Sequence, residues 1–217
     1  MAYVADPTAT LWTAVDLVEQ LGPIPLHRIV SDPAPGTATV EDVVRLDDHH
    51  DRLCELIDGT LVEKTVGVYE SYLAGAVVQI LLNFLEKSRI GIALTTDGMM
   101  QLFPGQVRIP DASFVSWASL EGTGFPDEPV PNMAPDLAVE IISRCNTKAE
   151  MDRKLREYFA AGTRLVWYIH PNTKTVQVFT APDQVAELTE SHTLDGGDVL
   201  PGFKVDLATF FEVPKKP

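Results

Sequence analysis

Apolar residues recur along the chain in two periods, one helical and one alternating. In "TLWTAVDLVEQLG" the spacing of Leu11, Val15, Val18 and Leu21 predicts a helix that Gly22-Pro23 ends. The loop "SDPAPGTA" separates it from a short helix in "TVEDVVRLD", where Thr39 and Asp42 have capping-box spacing. "RLCELIDGTLVEKT" alternates around Asp58-Gly59 and predicts a β-hairpin. "SYLAGAVVQILLNFLEK" is apolar on most sides and predicts a helix buried on more than one face. "IALTTDGMMQLF" and "QVRIPDASFVSW" read as strands joined near Pro104-Gly105. After the loop "SLEGTGFPDEPVPNMAP" comes "DLAVEIIS", a continuous apolar strand interrupted only by Glu140. "NTKAEMDRKLREYFAAG" is an amphipathic helix with Thr147 and Glu150 as a capping box and Gly162 at its end. "RLVWYIH" and "TVQVFTA" are strands around a "PNTK" turn, and "LDGGDVLPGFKVDLATFF" closes with a turn, a strand and a short helix.

The strand at Glu140, the helix after it and the strand at Leu165 form one βαβ unit, which predicts a parallel pair. The fold class is therefore α/β, a mixed β-sheet flanked by helices on both faces. Residues 1–45 read as an N-terminal helical arm, preceding a hairpin and a main domain over 46–213.

The 217 residues, 45% of them apolar, suffice for a real core. No apolar run reaches about 18 residues, so no membrane span is expected. The N-terminus lacks signal-peptide character, and Cys54 and Cys145 are too few for a disulfide framework, which together point to a cytoplasmic setting. A net charge of −14 disfavours indiscriminate nucleic-acid binding. It is uneven, however. From Arg144 to Arg164 six basic residues meet three acids, a local island of +3 just after Glu140. Such an island can receive a phosphate group.

Asp111, after Pro110, and Glu140 each break an apolar strand. A buried acid needs a partner. For Asp111 that partner is a backbone donor, an arginine such as Arg108, or a metal; for Glu140 it is Lys148, Arg164 or a metal. Mg²⁺ or Mn²⁺ takes oxygen ligands and often only one or two protein carboxylates, the number these acids supply. Lys154 flanks the core face set by Met151, Leu155, Tyr158 and Phe159, so it can reach along the sheet, with Lys148 as the runner-up. Glu55 in "LCELIDG" is a third buried-looking acid with either a structural or a metal role. His27, His170 and His192 have no metal-ligand spacing, His49 and His50 are expected on the surface, and no P-loop or nucleophile elbow is present.

The order strand–acid, strand–acid–helix–lysine resembles the PD-(D/E)XK nuclease superfamily. More closely, it is similar to the Uma-type "putative restriction endonuclease" family. The matching segments are "CELIDGTLVEK", "VRIPDASFVSW", "PDLAVEIIS", "KAEMDRKLREYFAAGTRLVWYIHP" and "TLDGGDVLPGF". The resemblance implies a restriction-endonuclease-like fold and divalent-metal-dependent DNA cleavage. It matches Asp111 to the Asp of the PD motif, Glu140 to the acid of (D/E)XK and Glu55 to an acid of the first hairpin. The third motif position is Ile142, so the resemblance moves the lysine role to Lys154. Where many members have a His, near the start of the long helix, this chain has Glu70 or Ser71.

The expected activity is hydrolysis of DNA phosphodiester bonds. Asp111 and Glu140, with the carbonyl of Ile141, would hold the metal, and Lys154 would stabilise developing charge. A homodimer is expected by analogy with two-strand cleavage. The alternatives are a nuclease-fold binding protein with weakened chemistry, or a hydrolase of RNA or another phosphoester.

Overall fold

The computed structural model describes residues 12–50, 52–65, 67–121 and 124–213. Thr10 and Leu11 of the predicted first helix, and the side chains of His49 and His50, lie outside the described residues. The first helix is α1, Ala14–Leu21, started by the reciprocal bonds of Thr13 and Asp16 and ended by Gly22 at φ 77°. A 3₁₀ turn at Leu26–Arg28 and helix α2, Val40–His50, follow.

The hairpin is β1, Cys54–Ile57, and β2, Thr60–Glu63. Asp58 and Gly59 both take positive φ, as a two-residue type I′ turn requires. Val30, Ala38, Val43 and Leu46 pack on Cys54, Leu56 and Leu61, so the segment before the hairpin shares its core. Burial raises the Cys54 thiol to about 11 and leaves it inert, whereas the other free cysteine, Cys145, is only half-buried.

Helix α3, Val68–Ser88, is long and apolar enough by length and composition to cross a membrane. The count of continuous apolar residues does not reveal this, because polar residues interrupt the run. Its Leu73, Ala74, Val77, Leu81 and Leu85 face is nevertheless buried against the sheet, as in a core helix.

Each long strand expected in the middle of the chain is two strands. The first divides into β3, Gly91–Leu94, and β4, Met100–Phe103; the second into β5, Gln106–Arg108, and β6, Ala112–Ser116. The breaks fall at turn-forming Asp97-Gly98 and at Pro110, which cannot donate to a ladder. They move the chain between sheets. A four-stranded sheet runs β2-β1-β5-β4. A six-stranded sheet runs β10-β9-β8-β7-β6-β3 and contains β7, Leu137–Ile141, β8, Leu165–His170, β9, Thr175–Ala181, and β10, Gln184–Leu188.

Between β7 and β8 lies α4, Lys148–Ala161, with the Thr147/Glu150 capping box and Gly162 in the left-handed conformation. The β7–β8 pair is parallel, as the crossover predicts, and the other pairs of this sheet are antiparallel. Alternation along β7 puts Leu137, Val139 and Ile141 against α3, whereas Ala138 and Ile142 pack with Met151, Leu155 and Tyr158 of α4. β11, Thr193–Asp195, β12, Lys204–Asp206, and α5, Leu207–Phe210, close the α3 side with Leu200, Phe203 and Phe211.

Candidate active site

The two sheets meet at Ile109–Asp111, where the chain passes from β5 to β6. There the backbone N–H of Asp111 donates to Val139 O at 2.9 Å, and its Oδ2 accepts from the N–H of Ile141 at 2.6 Å. Asp111 thereby straddles Glu140 on the neighbouring strand. The irregular backbone after Pro110 allows this: Asp111 spends its N–H on the Val139 carbonyl and its carboxylate on the Ile141 N–H. In an extended strand the N–H and C=O of one residue share a side. The carbonyl of Ile141 therefore faces Asp111.

Glu140 lies on the α4 side of β7 and is 4% exposed. Lys154, one turn of α4 beyond Met151, donates to Glu140 Oε1 at 3.0 Å and Oε2 at 3.2 Å. Tyr158, a further turn along, donates its hydroxyl to Oε1 at 2.7 Å. Lys154 also pairs with Glu55 Oε1 at 2.8 Å. Glu55 in turn is held by Arg108 Nη1 at 2.8 Å and the N–H of Ile109 at 3.2 Å. Arg108 is fully buried and bonds Glu157, which Arg153 links to Asp58 in the hairpin turn. One connected set of charges thus runs from the hairpin tip to Glu140.

The predicted residues Glu55, Asp111, Glu140, Ile141 and Lys154 all line one small cleft, with Arg28, Lys64, Glu70 and Asn146 among its other walls. The partners differ from those the sequence suggested. Lys148 pairs with Asp152 on the surface, Arg164 holds Asp136, and Arg108 serves Glu55 rather than Asp111. Asp111 is held by Lys64, whose Nζ is 2.9 Å from Oδ1. Lys64, Tyr158 and Arg28 have no clear sequence signal. Lys64 sits at a strand end, where a lysine is ordinary, and Arg28 meets Glu150 at 2.9 Å across 122 positions of sequence.

Burial penalises the charge of Lys154, but Glu140 and Glu55 outweigh it and hold the ammonium protonated well above its usual range. Burial likewise opposes the charge of Glu55, yet Lys154 and Arg108 bring its pKa down to about 2. Glu140 goes the other way. Burial raises its carboxyl pKa, Asp111 and Glu55 add to that, and Lys154 only partly offsets it.

This donor set is all oxygen and suits a hard divalent cation. Among the described residues no three His, Cys, Asp or Glu side chains form a ready cage. The arrangement offers two carboxylates, Asp111 and Glu140, and the Ile141 carbonyl. The free volume of the cleft is about 20 Å³, room for one water-sized species.

A family model described as "Uma2: Putative restriction endonuclease" matches residues 40–208. Among solved structures, the fold is similar to a "putative nuclease belonging to DUF820" from Anabaena variabilis. The two share 19% identity and a TM-score of 0.68, over 80% of this chain and 97% of that one. No curated protein matches the chain.

Proposed function

Since this chain belongs to the Uma2 "putative restriction endonuclease" family, a nuclease-like group, we propose that it is a divalent-metal-dependent endonuclease acting on DNA phosphodiester bonds. The observation that carries this reading is the convergence of Asp111, Glu140, Glu55 and Lys154 on one cleft from four separate elements. Asp111 and Glu140 would hold Mg²⁺ or Mn²⁺, with the Ile141 carbonyl as a third ligand. The cation, when bound, supplies Lewis-acid polarisation of a phosphoryl oxygen and acidifies water.

Lys154 keeps its proton, so it acts as an electrostatic group and not as a base. It faces the charge that develops on the phosphate in the transition state, and it orients the attacking water. Glu55, itself held by Arg108, fixes the ammonium from behind, and Tyr158 fixes Glu140. Arg144, exposed beside the cleft, supplies part of the local positive island and meets the DNA backbone. Free thiols at Cys54 and Cys145 fit a reducing, cytoplasmic setting. A homodimer would place two such clefts on opposite strands.

A second reading, a fold that binds without cutting, is favoured by the −14 net charge. One assay separates the two. The metal-free protein is given supercoiled plasmid, single-stranded DNA and RNA with MgCl₂, MnCl₂ or EDTA. Cleavage of DNA with metal, lost in EDTA and in Asp111→Ala, supports the endonuclease. Cleavage that is absent, or that survives Asp111→Ala, overturns it, and cleavage confined to RNA moves the substrate.

A further inference from the structure

We infer that Lys64 is a displaceable counter-ion of Asp111: its ammonium occupies the carboxylate in the metal-free protein and leaves when a divalent cation binds. This rests on the metal site proposed above and concerns a residue that the sequence pattern leaves without a role.

The two oxygens of Asp111 are engaged differently. Oδ2 accepts from the backbone N–H of Ile141 at 2.6 Å, a donor fixed in the sheet. Oδ1 faces Lys64 Nζ at 2.9 Å, and the same ammonium donates to Ile109 O at 2.6 Å. The main chain of Lys64 is anchored, since its N–H donates to Leu53 O at 2.9 Å. Only the flexible four-carbon stem is free to swing. A cation ligated by Oδ1 at roughly 2.1 Å would share that oxygen with the ammonium, and two positive charges at such range repel strongly. The cleft has about 20 Å³ free, so it does not hold a hydrated ion beside both lysines.

Of the two lysines, Lys64 is the one placed to leave. Lys154 is tied to both oxygens of Glu140 and to Glu55, whereas Lys64 meets one carboxylate oxygen and one carbonyl. Glu70, in the first turn of α3, lines the same cleft and is half-buried, so the departing ammonium has an acidic acceptor on the cleft wall.

The test is titration of MnCl₂ into the metal-free full chain by calorimetry, with thermal melts in parallel. If the ammonium competes with the metal, Lys64→Met binds Mn²⁺ about tenfold more tightly than wild type. Lys64→Arg, which keeps the charge, binds no more tightly than wild type. Metal-free Lys64→Met melts below wild type and gains more from saturating Mn²⁺. Should Lys64→Met not fold, Lys64→Gln removes the charge with a shorter polar side chain and is read the same way. A folded, neutral variant that binds Mn²⁺ equally or more weakly overturns the inference. In that case wild-type binding that is lost in Asp111→Asn leaves the metal site itself standing. Failure of wild type and neutral variant alike to bind Mn²⁺ overturns both.

Discussion

Lys154 Nζ stands 3.0 Å from Glu140 Oε1, although one residue belongs to a helix and the other to the strand before it. Ile142, the position where a (D/E)XK motif carries its lysine, faces the same side of the sheet but packs with the apolar face of α4. The ammonium reaches the acid from the helix instead of from the strand.

Removing that ammonium should separate chemistry from metal binding. In Lys154→Met, single-turnover DNA cleavage is expected to fall about 10²–10³-fold. Mn²⁺ binding by calorimetry should persist. Stability to urea should drop by about 3–5 kcal/mol, because Glu55 and Glu140 lose a buried partner. An unchanged cleavage rate would assign Lys154 to structure alone.

Glu140→Gln should stabilise the metal-free protein at neutral pH. A carboxyl whose folded pKa is raised contributes stability at low pH, and that contribution is lost as pH rises through the folded value. The neutral amide avoids the loss, so Tm at pH 8 is expected to rise. Wild type and variant should converge near pH 4, where Glu140 is protonated anyway. Cleavage should vanish in the variant. A lower Tm at pH 8 would show that the Lys154 pair outweighs the burial cost.

Glu55 has the opposite sign. Its folded pKa of about 2 lies below the ordinary 4.5, so its ion pairs stabilise fully above that ordinary value. The contribution is lost as pH falls from 4.5 towards 2 and amounts to about 3 kcal/mol. Urea melts at pH 7 and pH 3 should show about 2 kcal/mol of this loss in wild type, and Glu55→Gln should flatten it. An equal pH slope in the two proteins would assign the acid sensitivity elsewhere.

The pair between Arg28 and Glu150 ties the segment before the hairpin to the first turn of α4, with the side chains 4% and 2% exposed. Arg28→Met leaves Glu150 buried without its cation and should cost about 3–5 kcal/mol in denaturant unfolding. A change below about 1 kcal/mol would mean that Glu150 finds another donor.

Local chemistry was the legible part of this chain. The Asp58-Gly59 hairpin, the Thr147/Glu150 cap, the Gly162 stop and the parallel β7–β8 pair follow from turn residues, caps and crossover rules. Glu140 was conspicuous because nothing else in its strand is polar. The division of "QVRIPDASFVSW" between two sheets was not legible in full. Pro110 marks an interruption, but only the packed sheets show that the chain changes partner there. β10 has no signal in the sequence, because Gln184–Glu187 is exposed throughout and carries no burial period. Lys64, Arg108 and Arg28 find their carboxylate partners more than 45 positions away, which no local pattern encodes.

Asp111 and Glu140 would bind one divalent cation beside Lys154. Anomalous scattering from a crystal soaked in MnCl₂ tests it most directly. The expected result is a single Mn²⁺ peak within ligand distance of Asp111 Oδ1, a Glu140 carboxylate oxygen and the Ile141 carbonyl, with Lys154 still against Glu55. A fully soaked crystal with no peak in this cleft, and with Lys64 and Lys154 still seated on the acids, would contradict it.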